Sequence, residues 1–153
     1  MTRRAAPTEK SAADQLVPIF AALADRTRLR LLNLMHGREV CVCYFVEVLG
    51  QSQPKISRHL AYLRRSGLVL ARREGKWMHY HIDRALDHAI LRVVDQALES
   101  IQSDRQMQRD LEKLTRACCE PQTLVALQGA PVPQPGPSTA LSGLLADRTR
   151  DAR

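Results

Sequence analysis

Apolar positions along this chain recur in short helical bursts, separated by glycine, proline and aspartate. Residues 1–11 are polar and poor in apolar side chains, which predicts a flexible arm. A first helix is expected over about 12–24, bent at Pro18. Asp25 then caps a second helix reaching about His36, in which Leu29, Leu32 and Met35 share a face and Gly37 supplies the stop. A short third helix ends near Gly50. Ser52 is placed to cap a fourth over 53–66, with Pro54 in its first turn and Gly67 just past its end.

The runs LVLARR and KWMHYHI, parted by Glu74 and Gly75, read as a tight antiparallel hairpin rich in strand formers. Trp77, Met78, Tyr80 and Ile82 fit core packing under that hairpin better than a base-stacking platform. Asp83 is expected to cap a long last helix whose Leu86, Ile90, Val93, Ala97 and Ile101 form one stripe. Met107, Leu111 and Leu114 extend it past a polar break, and such a stripe asks for a partner helix. From Pro121 the chain turns to Pro, Gly, Ser and Ala, a composition that predicts disorder. The expected fold is therefore mainly α with a small β-hairpin: four helices, two strands, then a fifth helix. The expected division is an arm at 1–11, a domain at 12–117, and a tail at 118–153 that opens with Cys118 and Cys119.

Composition narrows this picture. At 153 residues the chain holds one domain with tails, and 44% apolar against 4% aromatic residues means an aliphatic core. No run approaches the roughly 18 apolar residues of a membrane span, and no hydrophobic segment follows Arg3 and Arg4. A cytoplasmic protein with no membrane partner is expected.

The net charge is +7, and residues 53–76 account for nearly all of it. Seven basic residues there (Lys55, Arg58, Arg64, Arg65, Arg72, Arg73, Lys76) face one acid, Glu74. On the fourth helix Ile56, Leu60 and Leu63 form a narrow apolar face, while Lys55, Arg58, Tyr62 and Arg65 gather opposite. A helix preceded by a short helix and a tight turn, with long donors in its N-terminal half, meets the requirement for reading the DNA major groove. The basic hairpin turn that follows adds a second cationic projection suited to phosphates. The candidate contacts with double-stranded DNA are Gln53, Lys55, Ser57, Arg58, Tyr62, Arg65, Arg73 and Lys76. His59 lies beside the apolar stripe and is expected to pack or to bond another helix.

Four cysteines come as two close pairs, Cys41 with Cys43 and Cys118 with Cys119, spacing poor for structural disulfides and suited to chelation by thiolates. Residues two apart diverge by about 200° around a regular helix, so chelation by Cys41 and Cys43 within one helix would have to distort the backbone. Arg38 is close enough in sequence to favour their thiolate forms. His79, His81 and His88 leave open a zinc site at a dimer interface. A thiol redox enzyme would need a Cys-x-x-Cys in a βαβ context, and no phosphate loop or nucleophile with a spaced base is present either. A metal buffer would leave the basic helix and hairpin without a use. Neither catalysis nor a small-molecule substrate is expected.

The stretches EVCVCYF and QSQPKISRHLAYLRRSGLVLARREGKWMHYHI resemble the ArsR/SmtB family of metal-responsive repressors, its arsenical-resistance members in particular. The resemblance covers about residues 12–105, and Cys41-Val42-Cys43 with the pattern of Ser57, His59, Leu60 and Gly67 carries it most specifically. It implies a winged helix-turn-helix homodimer, joined through its first and last helices, that leaves operator DNA when its ion binds. It also implies trivalent arsenic as the inducer, bound by Cys41 and Cys43 with Cys118 and Cys119 as further candidate ligands. Relatives often carry a third cysteine where this chain has Val46, so the inherited site is incomplete. Soft thiolates equally admit Sb(III), Cd or Zn, and a methylated arsenite would need only two of them.

Overall fold

The computed structural model describes residues 11–119, 127 and 129–136; the arm at 1–10 and most of the expected tail lie outside that range. The elements run α1 (Ala12–Leu23), α2 (Arg26–Met35), β1 (Arg38–Cys41), α3 (Val42–Leu49), α4 (Gln53–Arg65), β2 (Val69–Glu74), β3 (Trp77–Ile82), α5 (His88–Ser100), α6 (Arg105–Cys119) and β4 (Gln134–Pro135). Local chemistry sets most of the boundaries. Ser11 and Asp14 close a reciprocal capping box at the start of α1, which continues through Pro18. The Asp25 carboxylate accepts the Arg28 N–H at 2.8 Å at the start of α2. Gly50, at φ 62°, ends α3 in the left-handed conformation that only glycine adopts without strain.

Leu31, Leu32, Leu34 and Met35 of α2, Phe45 and Val48 of α3, and Ile56, Leu60 and Leu63 of α4 are all fully buried. Val40, Val69 and Ile82 close this aliphatic core from the sheet. The α3–α4 pair is thus a helix-turn-helix laid on a small sheet, with the β2–β3 hairpin projecting beside it. The hairpin turns on two residues, and Gly75 at φ 58° occupies the first, as a turn matched to strand twist requires.

The structure departs from the expected elements in four places. The sheet has four strands in the order β2-β3-β1-β4, where the hairpin alone was expected. β1 pairs antiparallel with β3, Val40 opposite Tyr80 and Cys41 opposite His79. Its four residues are too short a stretch to show a period. Second, Asp83 does not cap the last helix. Its carboxylate accepts the Ala85 N–H in a local turn, and Asp87 caps α5 instead.

Third, the long last helix is two helices. Asp104 receives the N–H groups of Gln106 and Met107 and so starts α6 afresh. The buried face of α5 is Ile90, Leu91, Val94 and Leu98, while Val93, Ala97 and Ile101 of the expected stripe are only half-buried. Fourth, α6 runs through Cys119, so Cys118 and Cys119 belong to a helix rather than to a tail. Within the stretch expected to be disordered, Gln134–Pro135 pairs with Arg38–Glu39 and Leu127 is buried.

One buried ion pair ties α6 to the core. The Arg30 guanidinium on α2 donates to Asp110 in bidentate fashion at 2.6 and 2.9 Å, Gln106 adds a bond at 2.8 Å, and Asp110 is wholly buried. This pairing raises the guanidinium pKa against the effect of burial. Among the described residues no helix is long and apolar enough to cross a membrane. Asp110→Ala leaves Arg30 partnerless in the interior and should cost about 3–5 kcal/mol of stability. Urea unfolding measures this, and a loss below about 1 kcal/mol would mean that water solvates the pair.

Candidate functional site

The basic surface is built on α4 and the hairpin. Ile56, Leu60 and Leu63 anchor α4 in the core, so Gln53, Lys55, Ser57, Arg58 and Arg65 stand exposed on the other side, with Arg64 beside them. Ser52 holds the N-cap position with an extended backbone, yet its side chain makes no capping bond. Tyr62 is half-buried. The Arg28 guanidinium lies 4.2 Å from its ring centroid and that of Arg65 5.7 Å, so the ring serves as a platform for cations. His59 sits 3.6 Å from Asp25, the contact between helices expected of it.

On the hairpin Arg73 and Lys76 are exposed at the tip, Arg73 bonding the Gly75 carbonyl at 3.0 Å and Lys76 lying 4.8 Å from the Trp77 ring centroid. Arg72, read from sequence as part of the same cationic turn, points to the other face of the hairpin. It pairs with Glu39 at 2.6 Å and Glu74 at 2.8 Å, so its charge is already matched within the chain.

The first cysteine pair sits where the sheet meets the helix-turn-helix. Cys41 ends β1 with an extended backbone (φ −70°, ψ 145°), and Cys43 lies in the first turn of α3. A strand residue followed by a helical turn brings the two side chains together, and the thiols are 3.0 Å apart. The pair does not share one regular helix, so the two sulfurs converge without the backbone distortion that one helix would have required to bring them together. Cys43 donates its S–H to Cys41, which pulls the buried Cys41 thiol down to about 7 despite desolvation and pushes Cys43 up. Cys41 is fully buried and Cys43 half-buried, so the pair is accessible only through Cys43.

The second pair contributes less. Cys118 is half-buried on α6 and Cys119 is exposed. Burial raises the Cys118 pKa, with Arg38 opposing and Cys119 adding to it. Arg38 thus acts on Cys118 and not on Cys41, because strand alternation turns residues 38 and 41 to opposite faces. Among the described residues no three of His, Cys, Asp and Glu gather into a metal-holding group. That applies to the histidines too: His79 and His81 share a face, as read from sequence, but Glu39 meets them at 3.7 and 3.2 Å, and His88 is exposed on α5.

Sequence reasoning missed Glu39, which follows from the register of the unpredicted β1, and Tyr44. The latter is fully buried and its hydroxyl has no hydrogen-bond partner. Its signal was available in retrospect, as a phenol directly following a Cys-x-Cys pair.

The fold and the basic surface define a winged-helix DNA-binding transcriptional regulator, a class without catalytic chemistry. Residues 25–70 match the family of bacterial regulatory proteins described as the arsR family. The chain is 41% identical over 104 residues to the arsenical resistance operon repressor of Escherichia coli K12, covering 67% of this chain and 87% of that protein. Among solved structures it resembles HlyU from Vibrio cholerae N16961, at TM-score 0.53 and 26% identity over 60% of this chain and 97% of that one. It also resembles the homodimeric winged helix-turn-helix domain Mb0332 from Mycobacterium bovis, at TM-score 0.50 and 25% identity over 68% and 94%. The protein belongs to the arsR family.

The thiol geometry makes a pH-dependent prediction. Thiolate absorbance should show one thiolate forming near pH 7, the depressed Cys41 value, and no second one from this pair until well above the ordinary thiol range. Cys43→Ala removes the donor, so the Cys41 transition should move upward; an unmoved transition would mean that the sulfur–sulfur bond does not set it.

Proposed function

We propose that this protein is an arsenic(III)-responsive repressor that binds operator DNA as a homodimer and leaves it when Cys41 and Cys43 capture the ion. The observation that carries this reading is the thiol pair, 3.0 Å apart and joined directly to the helix-turn-helix, with the Cys43 S–H lowering the Cys41 pKa. Residues 12–119, α1 to α6, make up the DNA-binding and dimerisation unit. Gln53, Lys55, Ser57, Arg58, Tyr62 and Arg65 face the major groove, with Arg73 and Lys76 on phosphates beside it. The arsenical resistance repressor among its relatives and the homodimeric neighbour support the reading.

A wedge at the thiol pair supplies the switch. Two metal–sulfur bonds of about 2.3 Å meeting at roughly 100° hold their sulfurs about 3.5 Å apart. The hydrogen-bonded pair is tighter than that, at 3.0 Å. Cys41 is held by the β1–β3 ladder, so the opening falls on α3, and the short link Gly50–Ser52 passes it to α4. Binding thus shifts the reading helix relative to the hairpin, which is part of the same sheet as β1. Both must meet the duplex at once, so a small shift between them lowers affinity for DNA.

The test is binding to a short duplex from its own promoter. Affinity should fall steeply with salt as phosphate contacts release counterions, and Lys76→Ala should flatten the log–log slope by about 1. Arsenite should dissociate the wild-type complex while Cys41→Ser and Cys43→Ser stay bound. Normal release by both variants would place the sensing site elsewhere, and antimonite or cadmium acting in place of arsenite would reassign the ion.

A further inference from the structure

Tyr44 lies in the first turn of α3, directly after Cys43, and no part of it reaches solvent. Its hydroxyl has no hydrogen-bond partner, which is unusual, since a buried phenol oxygen nearly always finds one. The surroundings explain the orphan. Burial first, and then the charges of Cys118, Cys43 and Cys41, push the Tyr44 phenol up to about 12, which puts these thiols within electrostatic range of it. Sulfur is a weak acceptor, and the helices α3 and α6 that pack together here offer no oxygen. The hydroxyl is an unpartnered donor, buried on the same turn of α3 that carries Cys43.

The ligand chemistry supplies the missing oxygen. Arsenous acid carries three hydroxyls on trivalent arsenic. When Cys41 and Cys43 bind, two As–O bonds break and two As–S bonds form. Each departing hydroxyl takes a proton, so two waters leave and arsenic stays trivalent. One hydroxyl remains, because the described residues bring only two thiols together. We propose that Tyr44 is a specificity-determining residue of this site, its hydroxyl donating a hydrogen bond to the oxygen left on arsenic. Methylarsonous acid loses both its hydroxyls to the same pair and presents a methyl group instead, so it leaves the Tyr44 donor unsatisfied. This proposal rests on the arsenic-sensing reading above and adds to it a preference for the inorganic ion.

The test titrates the full-length protein with arsenite and with methylarsonous acid, following thiolate–arsenic absorbance. Tyr44→Phe removes only the hydroxyl and should unfold at the same or a higher urea concentration. It should bind arsenite about tenfold more weakly, as the loss of one good hydrogen bond predicts, and methylarsonous acid as tightly as before or better. In the wild type, arsenite should also shift the tyrosine near-UV band to the red, which keeps the proposal testable if the variant misfolds.

Equal effects on both ligands, or none on either, would overturn the role of Tyr44 while leaving the thiol site standing. So would loss of arsenite binding by Cys118→Ser to the extent seen in Cys41→Ser, since a third sulfur leaves no oxygen on arsenic. A wild-type protein that binds neither ligand would remove the sensing site itself, and the inference with it.

Discussion

The antiparallel ladder between β1 and β3 is the constraint on which the arrangement turns. It places Val40 against Tyr80 and Cys41 against His79, and so fixes one sulfur of the thiol pair to the sheet. The other sulfur belongs to the first turn of α3. The pair therefore straddles the boundary between two bodies, a sheet that carries the hairpin and a helix pair that carries the basic reading face. Without the ladder the cysteines would be two separate small side chains; with it their sulfurs meet across a joint.

Electrostatics sorts the cations of that surface into two groups. Arg72 and Arg30 are paired within the chain, Arg72 at the surface with buried Glu39 and exposed Glu74, Arg30 with buried Asp110, and they hold the sheet face and the last helix in place. Lys55, Arg58, Arg65, Arg73 and Lys76 are exposed to solvent. Charges of the first kind hold the fold's register, because removing one strands its partner in the interior. Those of the second kind act together through the field they make and are sensitive to salt.

Much of this was legible in the residues. Asp25, Gly50 and the Ile56, Leu60, Leu63 stripe mark the helix-turn-helix because caps and periodicity are local properties. Gly75 marks the hairpin for the same reason. The failures are equally instructive. Asp83 and Asp87 are both good caps in composition, and what separates them is that Asp83 closes a local turn of its own. Arg72 and Arg73 are neighbours of one type, yet alternation along β2 gives one to Glu39 and leaves the other in solvent.

The order of the first four helices and the hairpin, the basic face of α4 and the presence of two cysteines two residues apart were determined by the sequence alone, through propensities and spacings acting over a few residues. Tertiary structure decided that Cys41 and Cys43 converge, that Arg38 serves Cys118 instead, and that Tyr44 keeps an unsatisfied buried hydroxyl. The physical reason is that each of these depends on a four-residue strand that carries no periodic signal of its own. It exists because a distant strand pairs with it, and that pairing sets which side chains face each other.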